Sequence, residues 1–199
     1  MSAAAVRYDQ DMGRWQPDSR GRLMQAAFAL YGERGFEETT VAEIAERAGL
    51  TERTFFRHFA DKREVLFAGA QALQELLVST VAEAPESLAP IDAAAAGLEA
   101  IGAFIQEGGE LARQRQAIIA ASAELQEREL IKLATLSAAV AHALRARGVG
   151  DPAAGLTGEV AVAVFKVAFE QWVVGTEPRD LSQLMRDGLD ELKSVTADT

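Results

Sequence analysis

Cysteine is absent from the 199-residue sequence, and histidine occurs only twice. The lack of cysteine excludes disulfide bonds, thiolate nucleophiles and cysteine-based metal sites, and it fits a reducing cytoplasm. Neither His58 nor His142 has a glutamate three residues before it, so the di-iron motif of helical bundles is missing. An HExxH motif, a glycine-rich phosphate loop and a nucleophile elbow are also missing. We therefore expect no enzyme activity, no bound metal and no cofactor.

Long hydrophobic runs are missing as well. The N-terminal segment has no apolar stretch of the kind that a signal peptide needs. The most apolar stretch, residues 160–169, is interrupted by Lys166 and flanked by Glu159 and Glu170. It is too short and too charged to span a bilayer, so we expect a soluble cytoplasmic protein without a membrane partner.

Proline is scarce, with five residues, and no window alternates between apolar and polar residues as a surface strand does. Alanine, leucine, valine, glutamate and arginine are plentiful, a mixture that favours helices over strands. Because 49% of the residues are apolar, the chain can form a sizeable core. These features predict an all-α fold.

The negative charge of the chain is unevenly distributed. Residues 1–63 contain ten Lys and Arg and ten Asp and Glu, whereas residues 64–199 contain ten and twenty, so the net charges are 0 and −10. A segment without excess negative charge can approach a polyanion, which a strongly negative surface would repel. Chance variation between segments would produce the same asymmetry, so the charge alone favours nucleic-acid binding only slightly.

Helix signals follow one another near the N-terminus. Asp18 or Ser19 is the expected N-cap of a first helix, and Gly35 is expected to end it. Thr40 followed three residues later by Glu43 is a capping box, which begins a second helix.

Gly49 ends this second helix after only two turns. The apolar side chain of Leu50 is expected to pack between the two helices at the turn. Thr51 caps a third helix that runs to about His58. Two short helices joined by a tight glycine-containing turn are the sequence form of a helix-turn-helix.

Further helices are expected in the rest of the chain. Asp61 and Glu64 form another capping box, which predicts a long helix over residues 61–83. A loop with two prolines follows at residues 84–90. The helices expected after it span about 91–107, 109–121, 124–147, 153–175 and 180–194.

The segment LTERTFFRHF, residues 50–59, combines cations, hydroxyls and aromatic rings in an acidic protein. On a helix, Phe55 and Phe59 face the core because they are four residues apart. Arg53 and Arg57 point the other way. The second helix of a helix-turn-helix enters the major groove of DNA, so we expect Arg53 to read a guanine.

Other polar side chains near this helix are candidates for DNA contact. Glu52 can accept a hydrogen bond from a cytosine amine, or it can form a solvated surface pair with Arg53. Phosphate contacts are predicted for Thr40, Thr51, Thr54, His58 and Lys62. A structural role is the alternative for His58, and Thr40 caps a helix in either case.

Residues 26–66, AAFALYGERGFEETTVAEIAERAGLTERTFFRHFADKREVL, resemble the N-terminal DNA-binding region of TetR-type transcriptional regulators. The shared pattern comprises ERGF, TTV, IA, AG, T-FRHF and the lysine that follows. The positions that contact DNA in the family match Thr40, Thr51, Glu52, Arg53, Thr54, Phe56, His58 and Lys62. Phe56 replaces the usual tyrosine, and a phenyl ring cannot donate a hydrogen bond to a phosphate. Family members are homodimers whose C-terminal helices form a ligand pocket and the dimer interface.

Broad apolar faces occur on the last two predicted helices, residues 156–174 and 180–192. Two such helices from each of two subunits would form a four-helix bundle, and an intramolecular core is the alternative. A ligand pocket is expected between the middle helices, although ordinary core packing explains its candidate residues as well. These candidates are Phe104, Ile118, Ser122, Leu125, Phe165 and Phe169. Few charges fall on the apolar faces, so we expect an apolar or amphipathic ligand.

The predicted organisation has three parts. They are a flexible arm at residues 1–17, a helix-turn-helix DNA-binding domain at 18–63 and a ligand-binding and dimerisation domain at 64–199. In this all-α fold, a three-helix head is joined by a long helix to a helical bundle. We expect a homodimer that binds double-stranded DNA and represses transcription until a small-molecule effector releases it from a palindromic operator. The alternative is a helical protein-interaction module that does not bind DNA.

Overall fold

The computed structural model describes residues 18–175 and 179–197, and the predicted N-terminal arm lies outside these ranges. The described residues form nine α-helices and no strand, which confirms the all-α prediction. The helices are α1 (Ser19–Arg34), α2 (Val41–Arg47), α3 (Glu52–His58), α4 (Ala70–Glu83), α5 (Pro90–Glu107), α6 (Gly109–Ala120), α7 (Ala123–Ala146), α8 (Ala153–Val174) and α9 (Leu181–Ala197). None of them is long and apolar enough to cross a membrane.

The first helix begins and ends at the predicted signals. The Asp18 carboxylate accepts a hydrogen bond from the Gly21 amide at 2.8 Å, so Asp18 is the N-cap of α1. Gly35 ends the helix with a φ of 89°. Helix α1 buries Leu23 and Leu30 and contacts α2, α3 and α6, so it lies at the centre of the head.

The predicted helix-turn-helix is formed by α2 and α3. Thr40 and Glu43 make both halves of the capping box at the start of α2. Gly49 adopts a φ of 64°, which allows the Leu50 amide to donate to the Ala45 carbonyl at 2.8 Å and closes the helix end. The next residue, Thr51, accepts a hydrogen bond from the backbone and begins α3 at once.

The prediction that a helix begins at Asp61 is wrong. Residues 61–69 form successive turns, called the connector below, and α4 begins only at Ala70. The Asp61 carboxylate does accept from the Arg63 and Glu64 amides, at 2.8 and 3.1 Å. The Glu64 carboxylate, however, bonds to α7 rather than back to residue 61, so the capping box is incomplete.

The protein has two hydrophobic clusters. The head cluster joins α1–α3 and the connector, and it also contains Ile118, Ile119 and Leu125 from α6 and α7. The body cluster is formed by α4, α5, α7, α8 and α9. The two clusters are therefore linked through α6 and the start of α7.

Helices α7 and α8 approach each other closely in the body. A side-chain carbon on Gly158 would lie 2.5 Å from the Ser137 carbonyl oxygen, so only glycine fits at this crossing. The Ser137 hydroxyl donates to the Glu159 carboxylate at 2.7 Å beside the same crossing. Small residues thus set how α7 and α8 pack.

Candidate nucleic-acid interface and interior cavity

Two buried rings hold α3 on the head. Phe55 is fully buried and Phe59 is 4% exposed, as their spacing predicts. On the opposite side, Arg53 and Arg57 are exposed one turn apart, next to Phe56, whose side chain is 55% exposed. Helix α3 therefore presents a polar and aromatic face to its surroundings.

The head contains eight lysine and arginine side chains between residues 18 and 63. Six of them contact other protein groups, and these are Arg20, Arg22, Arg34, Arg47, Lys62 and Arg63. Arg53 and Arg57 make no hydrogen bond or ion pair with any residue that the structure describes. The exposed face of α3 is therefore where the described head keeps cations available for an external anion.

Lys62 has an internal role that its sequence position does not indicate. Its ammonium group donates to the carbonyls of Phe36, Glu37 and Thr39, at 2.9, 3.2 and 2.9 Å. It also lies 4.3 Å from the centre of the Phe36 ring. Lys62 thus fixes the loop between α1 and α2, and a phosphate would compete with three carbonyls for it. Its contact with DNA stays a prediction.

The three predicted threonines all take part in helix caps. The Thr40 hydroxyl donates to Glu43 at 2.6 Å, and this hydrogen bond is the largest influence lowering the pKa of the Glu43 carboxyl. The Thr51 hydroxyl accepts from the Thr54 amide at 3.2 Å and lies 3.0 Å from the Thr54 hydroxyl. Thr40 and Thr51 are exposed and Thr54 is half-buried; Thr51 and Thr54 lie in the first turn of α3 with Arg53, and Thr40 lies at the start of α2.

His58 and Glu52 differ in their surroundings. The Nε2 atom of His58 is buried without a hydrogen-bond partner, and its ring lies 6.4 Å from that of Phe59. A phosphate contact by this nitrogen would require the side chain to move, which favours the structural alternative. Glu52 is exposed in the first turn of α3, beside Arg53, and no hydrogen bond joins these two described residues.

A cavity of about 510 Å³ lies between the head and the body. The predicted residues Phe104, Phe165 and Phe169 line it. Head side chains also line it, and among these Met24 and Phe28 of α1 were not predicted, because the sequence does not show that α1 borders the cavity. The cavity therefore has walls in both parts of the molecule.

The other three predicted lining residues do not line this cavity. Ile118 and Leu125 are buried in the head cluster. The Ser122 hydroxyl donates to the Glu37 carboxylate at 3.2 Å. The physical reason is that α6 ends, and α7 begins, against the head rather than between the middle helices.

Charged side chains occupy one side of the cavity wall. Arg115 pairs with Glu129 at 2.9 Å, and burial lowers the pKa of the Arg115 guanidinium. Arg128 and Lys132 both pair with the connector residue Glu64, at 2.5 and 3.2 Å. Burial by itself raises the pKa of Glu64, but the hydrogen bonds from these two cations outweigh it and the net pKa lies below the ordinary value.

The described residues contain no group of His, Cys, Asp and Glu side chains placed to hold a metal ion. The two candidate functional features are the exposed face of α3 and the cavity between the head and the body.

Two family models match the chain. The model described as "Bacterial regulatory proteins, tetR family" matches residues 23–68, and the model described as "MftR C-terminal domain" matches residues 88–197, more than half of the chain. The regulator TcmR of Streptomyces glaucescens is 33% identical over 90 residues, which are 45% of this chain and 40% of TcmR. The repressor KstR2 of Mycobacterium tuberculosis is 43% identical over 47 residues, 24% of either chain. The chain thus aligns with less than half the length of these relatives.

Solved structures share the fold along most of the chain. FadR of Thermus thermophilus, a TetR-family repressor in complex with lauroyl-CoA, has a TM-score of 0.57 at 24% identity and covers 87% of this chain and 93% of its own. The triclosan complex of SmeT, the repressor of a Stenotrophomonas maltophilia efflux pump, has a TM-score of 0.65 at 23% identity, with coverages of 89% and 90%. The family models confirm the resemblance of residues 26–66, and the chain belongs to the TetR family of DNA-binding transcriptional regulators.

Proposed function

We propose that the protein is a homodimeric repressor that binds a palindromic DNA operator and leaves it when a small apolar or amphipathic molecule fills the cavity. The DNA-binding part of this proposal rests on which lysine and arginine side chains of the head have partners within the protein. Six of the eight are engaged within the protein, and Arg53 and Arg57 on α3 have no partner among the described residues.

Helix α3 would enter the major groove with its N-terminal end toward the bases. Arg53 lies in the first turn and reads a guanine, whose two acceptors match the guanidinium group. Arg57, one turn later, and the exposed hydroxyl of Thr51 contact the flanking phosphates. Phe56 supports the contact only by apolar packing, because its ring has no donor.

A stripe of apolar residues on α8 supports a dimer. Leu156, Val167 and Val174 are 63%, 52% and 80% exposed, and with Val160 and Ala163 they fall on one side of the helix. Exposed apolar stripes of this kind mark interfaces, and a second copy of the chain would cover this one. Two heads related by a two-fold axis would then read half-sites about 34–36 Å apart, or a multiple of that distance.

The position of the cavity supports control by a ligand. Its wall includes Met24 and Phe28 of the DNA-binding head as well as residues of α5–α8. A molecule that binds the two head spacings unequally would change DNA affinity. FadR is in complex with lauroyl-CoA and SmeT with triclosan, and these amphipathic and apolar ligands support an effector of the same kind for this cavity.

Selection from random DNA tests this proposal. The purified protein should enrich a palindromic sequence, and its affinity should fall with increasing salt. The DNA beside its own coding region is the first natural site to examine. If no sequence is enriched and salt has no effect, the protein-interaction alternative replaces the regulator. Sedimentation of Val167→Glu should show monomers where the unaltered protein forms dimers, and an unchanged dimer would refute the α8 interface.

A further inference from the structure

We propose that the cavity binds an apolar molecule with one anionic group, and that this group replaces the Glu64 carboxylate on Arg128 and Lys132. The inference rests on the proposed function, because it names the class of effector and the contact through which that effector reaches the head. Three observations support it: the charged residues of the cavity wall, the distances of their ion pairs and the apolar residues that line the rest of the cavity.

Near the connector, the cavity wall holds three cations and one carboxylate, Glu129, and the connector residue Glu64 lies outside the wall. Arg115, Arg128 and Lys132 are three cations, whereas Glu64 and Glu129 are the carboxylates that pair with them, at 2.5 to 3.2 Å. Glu64 alone serves both Arg128 and Lys132. Glu64 does not itself line the cavity, so an anionic ligand inside the cavity can take its place on Arg128 and Lys132, whereas a cationic ligand would add to the positive charge there.

The rest of the cavity suits an apolar tail. Phe104, Leu111 and Ile131 line it and remain 49%, 46% and 57% exposed, so they offer an uncovered apolar wall. Phe67 joins the two regions, because its ring lies 5.0 Å from the Arg115 guanidinium and 5.9 Å from the Lys132 ammonium. An amphipathic anion would place its tail on the exposed wall and its charge beyond Phe67.

Glu64 belongs to the connector, which links α3 to α4. Body cations hold this connector: Arg128 and Lys132 bind the Glu64 carboxylate, and Arg115 donates to the Leu66 carbonyl at 2.8 Å. A neutral molecule cannot exchange for an ionised carboxylate without leaving cations unpaired. An anionic ligand can make this exchange. It would release the connector from Arg128 and Lys132 and so allow the head to change its position.

Matched ten-carbon probes test the charge preference. Trp15→Phe leaves Trp172 as the one tryptophan, and its ring stacks at 5.8 Å on Phe169 of the cavity wall. Titration by fluorescence should show that decanoate binds on the order of tenfold more tightly than 1-decanol, with decyltrimethylammonium weakest. Equal affinities for decanoate and 1-decanol would overturn the proposal.

Substitutions in the same background locate the anion. Lys132→Gln should weaken decanoate several-fold without changing 1-decanol. Glu64→Gln should strengthen decanoate binding, because the competing carboxylate is removed. Glu124→Gln is the matched control: it removes the same charge from a residue that pairs with the connector at Arg63, which is not a cation of the cavity wall. Equal effects of the two glutamate variants, or weaker decanoate binding by Glu64→Gln, would refute the exchange.

The two proposals fail separately. Ligand titration is done without DNA, and melting temperatures of the variants show whether they fold; if Glu64→Gln does not fold, Lys132→Gln decides. Operator selection is done without ligand. An enriched operator together with equal decanoate and 1-decanol affinities would overturn only the anion site, whereas a decanoate preference without any enriched DNA would overturn the regulator.

Discussion

The head and the body of the protein are both helical, but their helices are stabilised differently. Helices α1, α2 and α3 each begin with a side chain that accepts a backbone hydrogen bond, whereas α4 to α8 have no such bond at their N-termini. Helices α2 and α3 have only seven residues each, too few to form without caps and tertiary support. Helices α4 to α8 depend on burial and close packing instead, and in the body only α9 among the described helices has such a cap, from the Gln183 amide to the Asp180 carboxylate at 2.9 Å.

Charges are also used differently in the two parts. Most head cations are held by carbonyl oxygens or neighbouring carboxylates, which leaves the pair on α3 for an external partner. Cations of the body that line the cavity instead hold the connector of the head. The body thus contributes to the position of the DNA-binding head, and the next four substitutions examine how far the two parts are independent.

Replacing Phe55 with alanine should have the largest effect. The ring is fully buried in the head cluster, so Phe55→Ala should lower the free energy of unfolding by about 3–5 kcal/mol. Because this cluster includes Ile119 and Leu125 of the body, unfolding measured in the Trp15→Phe background by circular dichroism and by Trp172 fluorescence should shift together. Phe56→Ala, at the exposed neighbour, should change stability by less than about 0.5 kcal/mol. An unshifted Trp172 transition would show that the head unfolds alone.

Replacing Lys62 with methionine distinguishes an internal role from a DNA contact. Methionine keeps an apolar stem but cannot donate to the three carbonyls, so Lys62→Met should destabilise the head by about 1.5–3 kcal/mol. Urea denaturation measures this loss. The salt dependence of DNA binding should remain unchanged, and a decrease of about one in its slope would instead indicate a phosphate contact.

Residues of the head were predictable from the sequence because their signals are local. Thr40 and Glu43 bond across three residues, and the spacing of Phe55 and Phe59 determines which side of α3 is buried. Glu64 shows where this reasoning stops: its position suggests a helix cap, but its partner Arg128 is 64 residues away. Such a partner becomes visible only when α7 packs against the connector.

The cavity was only partly predictable for the same reason. Phe104 and Phe169, two of the expected residues, do lie on its wall, and their binding of a ligand stays a prediction. Ile118 has the same apolar pattern but is buried against the head, because α6 docks on α1. Periodicity identifies which side of a helix is buried, and it does not identify which helix will cover that side.

Replacing Arg53 with alanine should affect recognition without affecting stability. The side chain is exposed and unpaired among described residues, so stability should change by less than about 0.5 kcal/mol. Operator binding should weaken by about 1–3 kcal/mol, with relaxed preference at one base position. Arg47→Ala is the control, because this exposed cation is already paired with Glu33 at 2.8 Å. Equal losses for both variants, measured by fluorescence anisotropy, would argue against base reading.

Replacing Thr40 with alanine should have the smallest effect, and this effect depends on pH. Loss of the N-cap of α2 should cost about 1 kcal/mol at neutral pH. The folded-state pKa of Glu43 lies below its ordinary value of 4.5, so its ionised form contributes stability above that value. The contribution is lost as the pH falls through the folded pKa, because the protonated carboxyl no longer completes the capping box. Thermal melts from pH 7 down to the acid limit of folding should therefore show the difference between the two proteins narrowing below pH 4.5. A constant difference would mean that the threonine hydroxyl caps α2 without help from Glu43. The hydrogen bonds of the Glu43 carboxylate would then not be needed to stabilise this short helix.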